Sequence, residues 1–519
     1  MKITRRLFPL RIAAVVAVTA LALAGCAPAA KTTSSKAESH IAVGVIYNPN
    51  SFDPYQSIWG GQWAAHMYAV YDTLIHREPD GSFTPGMATK WGYDSPTKFS
   101  FTIRKGMVFS DGKTPIDAAA VKANMDRIHT VVGQQTPKLA PMLEDVEVTG
   151  KYSVTLNLNA PNPSIPLLLA QPLGMLVNPT VLEKDPASLA LTPAGSGPYV
   201  LDTAKTVVNS SYVYTRNKHF RDPGAFDFDV LEVKYFADQN AMLTALQSGV
   251  VQVGYGNPDV VSAGESAGLK VASMPVNIFG MILTDRDGKL SPPLGQEKVR
   301  QALNFAIDRA AILKTVYAGQ GKVIQQPFPP GTDGFDKSLN DFYKYDVAKA
   351  KKLLTEAGYG SGFSFQVALT APARDSNLAQ AIASYFSEIG VKMDIVSLPA
   401  GANNNSELVK YPAFINGSSG QDTFGDARTS LMPGTPAANP HNSEDPELTA
   451  LWQKAATAAT PKERAAGFQK LSAAVVRKAW FVNVAQVNAI YFYDPKKVSN
   501  VVYTQGMSVP LIFGWKAVK

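Results

Sequence analysis

Gly264-Glu265-Ser266-Ala267-Gly268 matches the G-x-S-x-G spacing of an esterase nucleophile elbow. That elbow needs a buried strand before the serine and a helix after it, so that a strained turn holds the hydroxyl up for attack. The order here is reversed, because 258–263 read as a turn and short helix and Leu269 to Met274 as the strand. Only His441 follows the serine, inside a polar Asn-Pro-His-Asn loop, and no His-Gly-Gly oxyanion loop precedes it. Ser266 therefore reads as part of a helix-to-strand turn. The six histidines (His40, His66, His76, His129, His219, His441) lack the i, i+4 pairing of a helical metal site. Gly195-Ser196-Gly197 lacks the Lys-Ser/Thr ending of a phosphate-binding loop, and no pair of carboxylates stands out as a glycosidase pair. These residues predict a protein that is not an enzyme and that carries no cofactor or metal.

Cys26 is the only cysteine of the 519 residues, which excludes a disulfide scaffold, a thiolate zinc site and a Cys/His catalytic pair in the body. It closes the run Leu23-Ala24-Gly25-Cys26, behind an apolar stretch from Ile12 to Ala24 and a basic start from Lys2 to Arg11. About 13 apolar residues are too few to cross a bilayer core, so 1–25 read as a signal peptide. The run resembles the lipobox of bacterial lipoproteins, which makes Cys26 the predicted lipidation site. Two acyl chains anchor stably where one does not. Thr4-Arg5-Arg6-Leu7-Phe8 fits a twin-arginine signal as well as an ordinary basic one, leaving the export route open. The formal charge of +7 owes much to this segment. Without it 45 basic groups face 42 acidic ones, too even a balance for a nucleic-acid partner.

The elements behind these residues mix strands and helices throughout. Segment 26–39 is small and polar and reads as a lipidated flexible tether, reaching roughly 20 Å as a random coil. The folded body begins near His40, where 41–45 alternate as a strand does. Strands are also predicted at 99–103, 152–158 and 391–396, and helices at 118–128 (capped by Asp117), 346–358 and 377–389. From Glu297 to Val316 apolar residues recur at three- and four-residue steps, which predicts one long helix with a single buried stripe. With 45% apolar and 18% charged residues the length allows two to four domains, and the interleaving implies an α/β body in more than one lobe.

Eight stretches in order then resemble the extracellular solute-binding proteins of the oligopeptide, dipeptide and nickel class, family 5. They are Phe52-Asp53-Pro54, 70–75, Pro85-Gly86-Met87-Ala88 with Trp91, Phe101 to Gly112, Gly195 to Tyr199, 246–253, 299–309 and 350–359. The run Phe-Thr-Ile-Arg-Lys-Gly-Met-Val-Phe-Ser-Asp-Gly is the most specific of them. In 246–253 Gln252 stands where the family usually has an acid. Most of these residues are turns and buried helix faces, so they identify a scaffold and leave the ligand open.

The resemblance implies a two-lobed periplasmic-binding-protein fold of type II (cluster C), with an extra inserted subdomain and a cleft between lobes. Mapped here, lobe I takes 40–60, 195–276 and 488–519, the insertion 61–194 and lobe II 277–487, with a hinge near 276 and 487. It implies an extracytoplasmic receptor of an ABC importer, monomeric and held by lipid at the outer face of the cytoplasmic membrane. The receptor would hand a peptide, or another small solute such as a nickel chelate or sugar, to permease subunits. In peptide-binding members two segments face the cleft. The first corresponds here to 55–62, with Gln56, Trp59, Gly60, Gly61 and Gln62. The second is 418–428, with Asp422, Phe424 and Arg428; the family's Trp and Asp-Pro are missing from it. Asp422 and Asp426 compete for the role of pairing with a peptide's α-ammonium group, and Asp422 fits the register better, because 431–441 then match the family's following loop. A surface-anchored serine hydrolase and a sensor or adhesion lipoprotein on the same fold are the alternative functions.

Overall fold

The structure is a computed structural model that describes residues 39–58, 61–399, 405–433 and 438–518. The signal segment, Cys26 and the tether as far as residue 38 lie outside the described residues. An eleven-stranded mixed sheet runs through the body. From one edge its strands are Val391–Ser397, Phe363–Leu369, Ala413–Ser419, Lys270–Leu283 and Phe481–Tyr493. It continues through Val253–Gly256, His40–Val45, Val230–Tyr235, Ser211–Arg216 and Tyr199–Leu201, and Gly321–Val323 adds to Phe481–Tyr493 off this path.

Two strands in the middle are much longer than the rest. Lys270–Leu283 and Phe481–Tyr493 pair antiparallel from Lys270 opposite Tyr493 to Ile282 opposite Phe481. Their outer halves bury Ala272, Val276, Ala489 and Tyr491 in one core, with Tyr71, Tyr199 and Trp515. Their other halves bury Met281, Leu283, Val482 and Val484 in a second core, with Leu303 and Phe386. Between the two cores the ladder slips at Pro275/Asn277 and again at Phe279/Gly280. A bulge of this kind bends the strand that carries it. At the second slip a Cβ on Gly280 would stand 2.5 Å from the carbonyl oxygen of Val482, so only glycine admits the close approach.

A separate four-stranded antiparallel sheet, ordered Ala88–Ser95, Lys98–Ile103, Ser153–Leu158, Leu143–Gly150, builds a third core with the helix Ala118–Met125. Asp117 caps that helix by accepting from the Ala120 amide at 3.1 Å. The helix is α-helical only to Met125 and continues as a tighter turn over Asp126–His129. The 346–358 helix runs Val347–Glu356, capped by Asp346 through the Lys349 amide, and Gly358 leaves it at φ +86°.

The single helix expected over 297–316 is two helices, Glu297–Phe305 and Arg309–Val316. Asp308 adopts an extended conformation and accepts from the Ala311 amide at 3.0 Å, so it starts a new helix. Arg309 is 4% exposed and donates to the carbonyls of Asn304 and Asn483, which takes up backbone oxygens at the break. Apolar spacing ran on across the break and hid it. The helix expected from 377 begins earlier, as Pro372–Glu388, with proline in its first turn.

Candidate functional site: two chambers in a cleft

A cavity of about 490 Å³ lies where the two crossing strands pass between cores. Tyr47, Gln62, Trp63 and Asn257 line it from one side, Tyr317 and Asn377 from the other, and Asn277, Phe279 and Asn488 from the strands themselves. Tyr47 stacks on Trp63 with ring centroids 5.0 Å apart, and Phe279 lies 5.6 Å from Tyr317. Gln62 is buried and accepts from the Ile46 amide. Asn488 donates to Gln320 at 3.3 Å, while its side-chain amide oxygen is buried without a partner among the described residues. Aromatic faces with intervening carboxamides suit a solute that has both apolar surface and amide-like donors and acceptors.

A second chamber opens around the helix Thr423–Leu431, as two adjoining cavities of about 240 and 200 Å³ that share Ser164, Leu167, Gln421, Asp422 and Phe424. Here residues of the 137–171 stretch touch the 421–428 segment directly. Ser164 Oγ donates to Asp422 at 2.7 Å, Gln171 donates to Gln421, and Arg428 donates to the Pro137 carbonyl at 2.7 Å. Gln421 donates in turn to the Gly506 carbonyl at 2.8 Å. Asp422 caps the helix, accepting from the amides of Phe424 at 3.1 Å and Gly425 at 2.9 Å. Asp426 points back and accepts from the amides of Gln421 and Asp422 at 2.9 and 3.1 Å.

Burial dominates the electrostatics of this chamber. It pushes the Asp426 carboxyl up to about 7, with the neighbouring charge of Asp422 adding to the effect. Burial also raises Asp422, against the hydrogen bonds that favour its ionised form. Lys138 is drawn down to about 8 by burial, opposed by the attraction of Asp426.

The two segments expected to face one cleft thus line different chambers. Gly61 and Gln62 belong to the larger cavity, and Asp422, Phe424 and Arg428 to the smaller one. Gln56 joins neither. It is exposed beside Asp53 and Arg127 in an open surface groove. Trp59 and Gly60 lie outside the described residues. Phe424 is 2% exposed, with its ring stacked on Trp452 at 4.9 Å, so it is a wall whose ring belongs to the core. Tyr47, Trp63, Asn277, Asn488, Ser164 and Gln421 were not singled out in the sequence. Asn277 and Asn488 carried only a weak signal, because their strands hold other polar residues too, Ser273 in one and Asn483 and Gln486 in the other.

The motif residues are scaffold. Asp72 is 1% exposed and bonds Arg221 and His76, each at 2.6 Å. A Cβ on Gly197 would sit 2.4 Å from the Tyr71 amide nitrogen. Ser266 is the exposed last residue of the short helix Val261–Ser266, with the strand after it, opposite to a nucleophile elbow.

Residues 82–440 match the family described as bacterial extracellular solute-binding proteins, family 5. The chain belongs to that family. As a family 5 protein of the ABC-importer kind, it is 28% identical over 392 residues to the glutathione-binding protein GsiB of Salmonella paratyphi A, covering 73% of this chain and 74% of that one. Its fold superposes on the ABC transporter substrate-binding protein CtaP of Listeria monocytogenes with a TM-score of 0.81, at 21% identity, over 93% of this chain and 100% of the other. The binding protein DppA of Helicobacter pylori, in complex with the peptide STSA, superposes at 0.78 and 21% identity over 93% and 99%. The periplasmic-binding-protein fold expected from the motifs is the fold observed. These relatives are solute-binding proteins, not enzymes, and family members act outside the cytoplasm. Among the described residues no helix is long and apolar enough to cross a membrane.

Proposed function

We propose that this family 5 receptor captures a short peptide or peptide-like solute between two lobes and delivers it to the permease subunits of its importer. The observation that carries the reading is the 490 Å³ cavity at the strand crossing, walled by aromatic rings and carboxamides from both sides. Its size falls within the range of small-molecule sites, about 300–1,000 Å³. A glutathione-binding relative and a peptide-bound neighbour support the same class of solute, since glutathione is itself a tripeptide. The bodies that close are 40–60 with 195–276 and 488–519, carrying the insertion 61–194, against 277–487. The ladder slips beside Asn277 and Gly280 supply a bend on which they turn. The solute reaches from this cavity into the second chamber, where Asp422 receives its ammonium group. The two Asp422 oxygens accept three bonds in the protein, and a carboxylate has about four lone-pair directions to offer. Lipid on Cys26 holds the receptor at the outer face of the membrane.

Mass spectrometry of the solute released on denaturing protein purified from its own host tests the solute class. A peptide or γ-linked peptide is expected. A sugar or a metal chelate free of amide bonds would overturn it.

A further inference from the structure

The hairpin Ile75–Arg77/Phe83–Pro85 sets Arg77 at the end of its ladder, opposite Phe83. There the guanidinium stands between the 200 Å³ part of the second chamber and a further cavity of about 270 Å³ beside Tyr68, His76 and Phe513. The carboxylates around these spaces are already engaged. Asp333 pairs with Arg464 at 2.6 Å, Glu78 accepts from Thr84, and Asp422 and Asp426 accept the bonds given above. The neighbouring cations are engaged too: Lys138 donates to Gln135 at 2.8 Å and Arg428 to Pro137. Arg77 is the exception. Among the described residues its side chain has no hydrogen bond or ion pair, and its Nε is buried without a partner.

The space beyond the fork is kept open by a glycine. Gly506 faces it at φ +75°, and a Cβ there would come within 2.9 Å of Arg77 Nη1. A planar guanidinium presents parallel N–H donors that match the two oxygens of a carboxylate. Leaving the buried Nε donor unpaired costs free energy that an incoming anion restores. Asp422 and Asp426 act on Arg77 through space. They favour its charge but would repel the second charge of a phosphate dianion, so a singly charged oxyanion fits better.

We propose that Arg77 is the carboxylate seat of the cleft, gripping an acidic end of the captured solute through a two-pronged hydrogen bond. The proposal rests on the reading that the cleft holds the solute. It assigns Arg77 one pole of a zwitterion whose ammonium pole lies toward Asp422.

The test is titration calorimetry of ligand-freed full-length protein with tri-alanine and with tri-alanine amide, for wild type, Arg77→Gln and Arg77→Lys. Wild type should prefer the free acid by about 10- to 100-fold, the range of one charge-assisted pair. Arg77→Gln should bind both forms equally and weakly, and Arg77→Lys should keep part of the preference, having charge without the fork. Equal binding of acid and amide by wild type overturns the carboxylate seat and leaves the peptide reading standing. So does an unchanged preference in an Arg77→Gln protein that melts as wild type does. Should wild type bind neither peptide at millimolar concentration, the solute class rests on the mass spectrometry and succinate decides Arg77. Succinate raising the melting temperature of wild type, but not of Arg77→Gln, supports the seat; equal shifts, or none, overturn it.

Discussion

Asp422 and Asp426 sit one helical turn apart and do different work. Asp422 serves the helix start, Ser164 across the cleft and, on our reading, the solute; Asp426 is turned back onto the loop amides. Asp422→Asn keeps an oxygen for the cap and removes the charge, so it should weaken an ammonium-bearing peptide by about 10- to 1000-fold in calorimetry. Asp426→Asn should change that affinity little, and equal losses in both variants would refute the assignment. Asp426 has its own signature in stability. Its folded-state pKa of about 7 lies above the roughly 3.9 of an unfolded aspartate, so the folded form binds the extra proton. Stability should therefore fall as pH rises from about 4 to 7 and be level above that window. Asp426→Asn should flatten that slope in denaturant titrations and gain about 1–3 kcal/mol at pH 8. The sequence named both carboxylates and favoured Asp422 on register alone; which amides each one faces is decided by the tertiary structure.

Caps and periodicity were legible for the elements, since both depend on neighbours a few residues apart. Asp117, Asp346 and the alternation of 99–103 all do what their spacing implies. The stretch 297–316 shows the limit. Its apolar steps continue through Ala306 and Ile307, both buried, while the backbone turns at Asp308. Burial of those side chains in the second core is compatible with a broken helix as well as a straight one, so hydrophobic spacing could not report the break. Asp308→Ala should cost about 1 kcal/mol in chemical denaturation, the usual worth of an N-cap, and Asp308→Ser much less. A neutral Asp308→Ala would mean that Arg309 alone secures the second helix.

On the proposed reading, closure is the event in which the whole molecule takes part. A solute that binds only the closed form should raise stability by about 2.7 kcal/mol at 100 times its dissociation constant. The scattering radius should shrink at the same time, and a radius unchanged by saturating solute would contradict hinging at the crossing strands. Cys26→Ser should move the protein from the detergent phase of an extract to the aqueous phase. Wild type already in the aqueous phase would remove the lipid anchor. The family was readable from residues alone, because turns, caps and glycine contacts such as Gly197 against Tyr71 impose local sequence demands that recur wherever the scaffold does. So was the α/β character, which follows from periods of two and of three to four residues. The two candidate chambers were not. Tyr47 and Asn488 meet in one cavity and Ser164 and Asp422 in another, although hundreds of residues separate the members of each pair. Such pairings have no local signature. They arise when the crossing strands bring two cores together, and tertiary packing alone decides which polar side chains are left facing the space between.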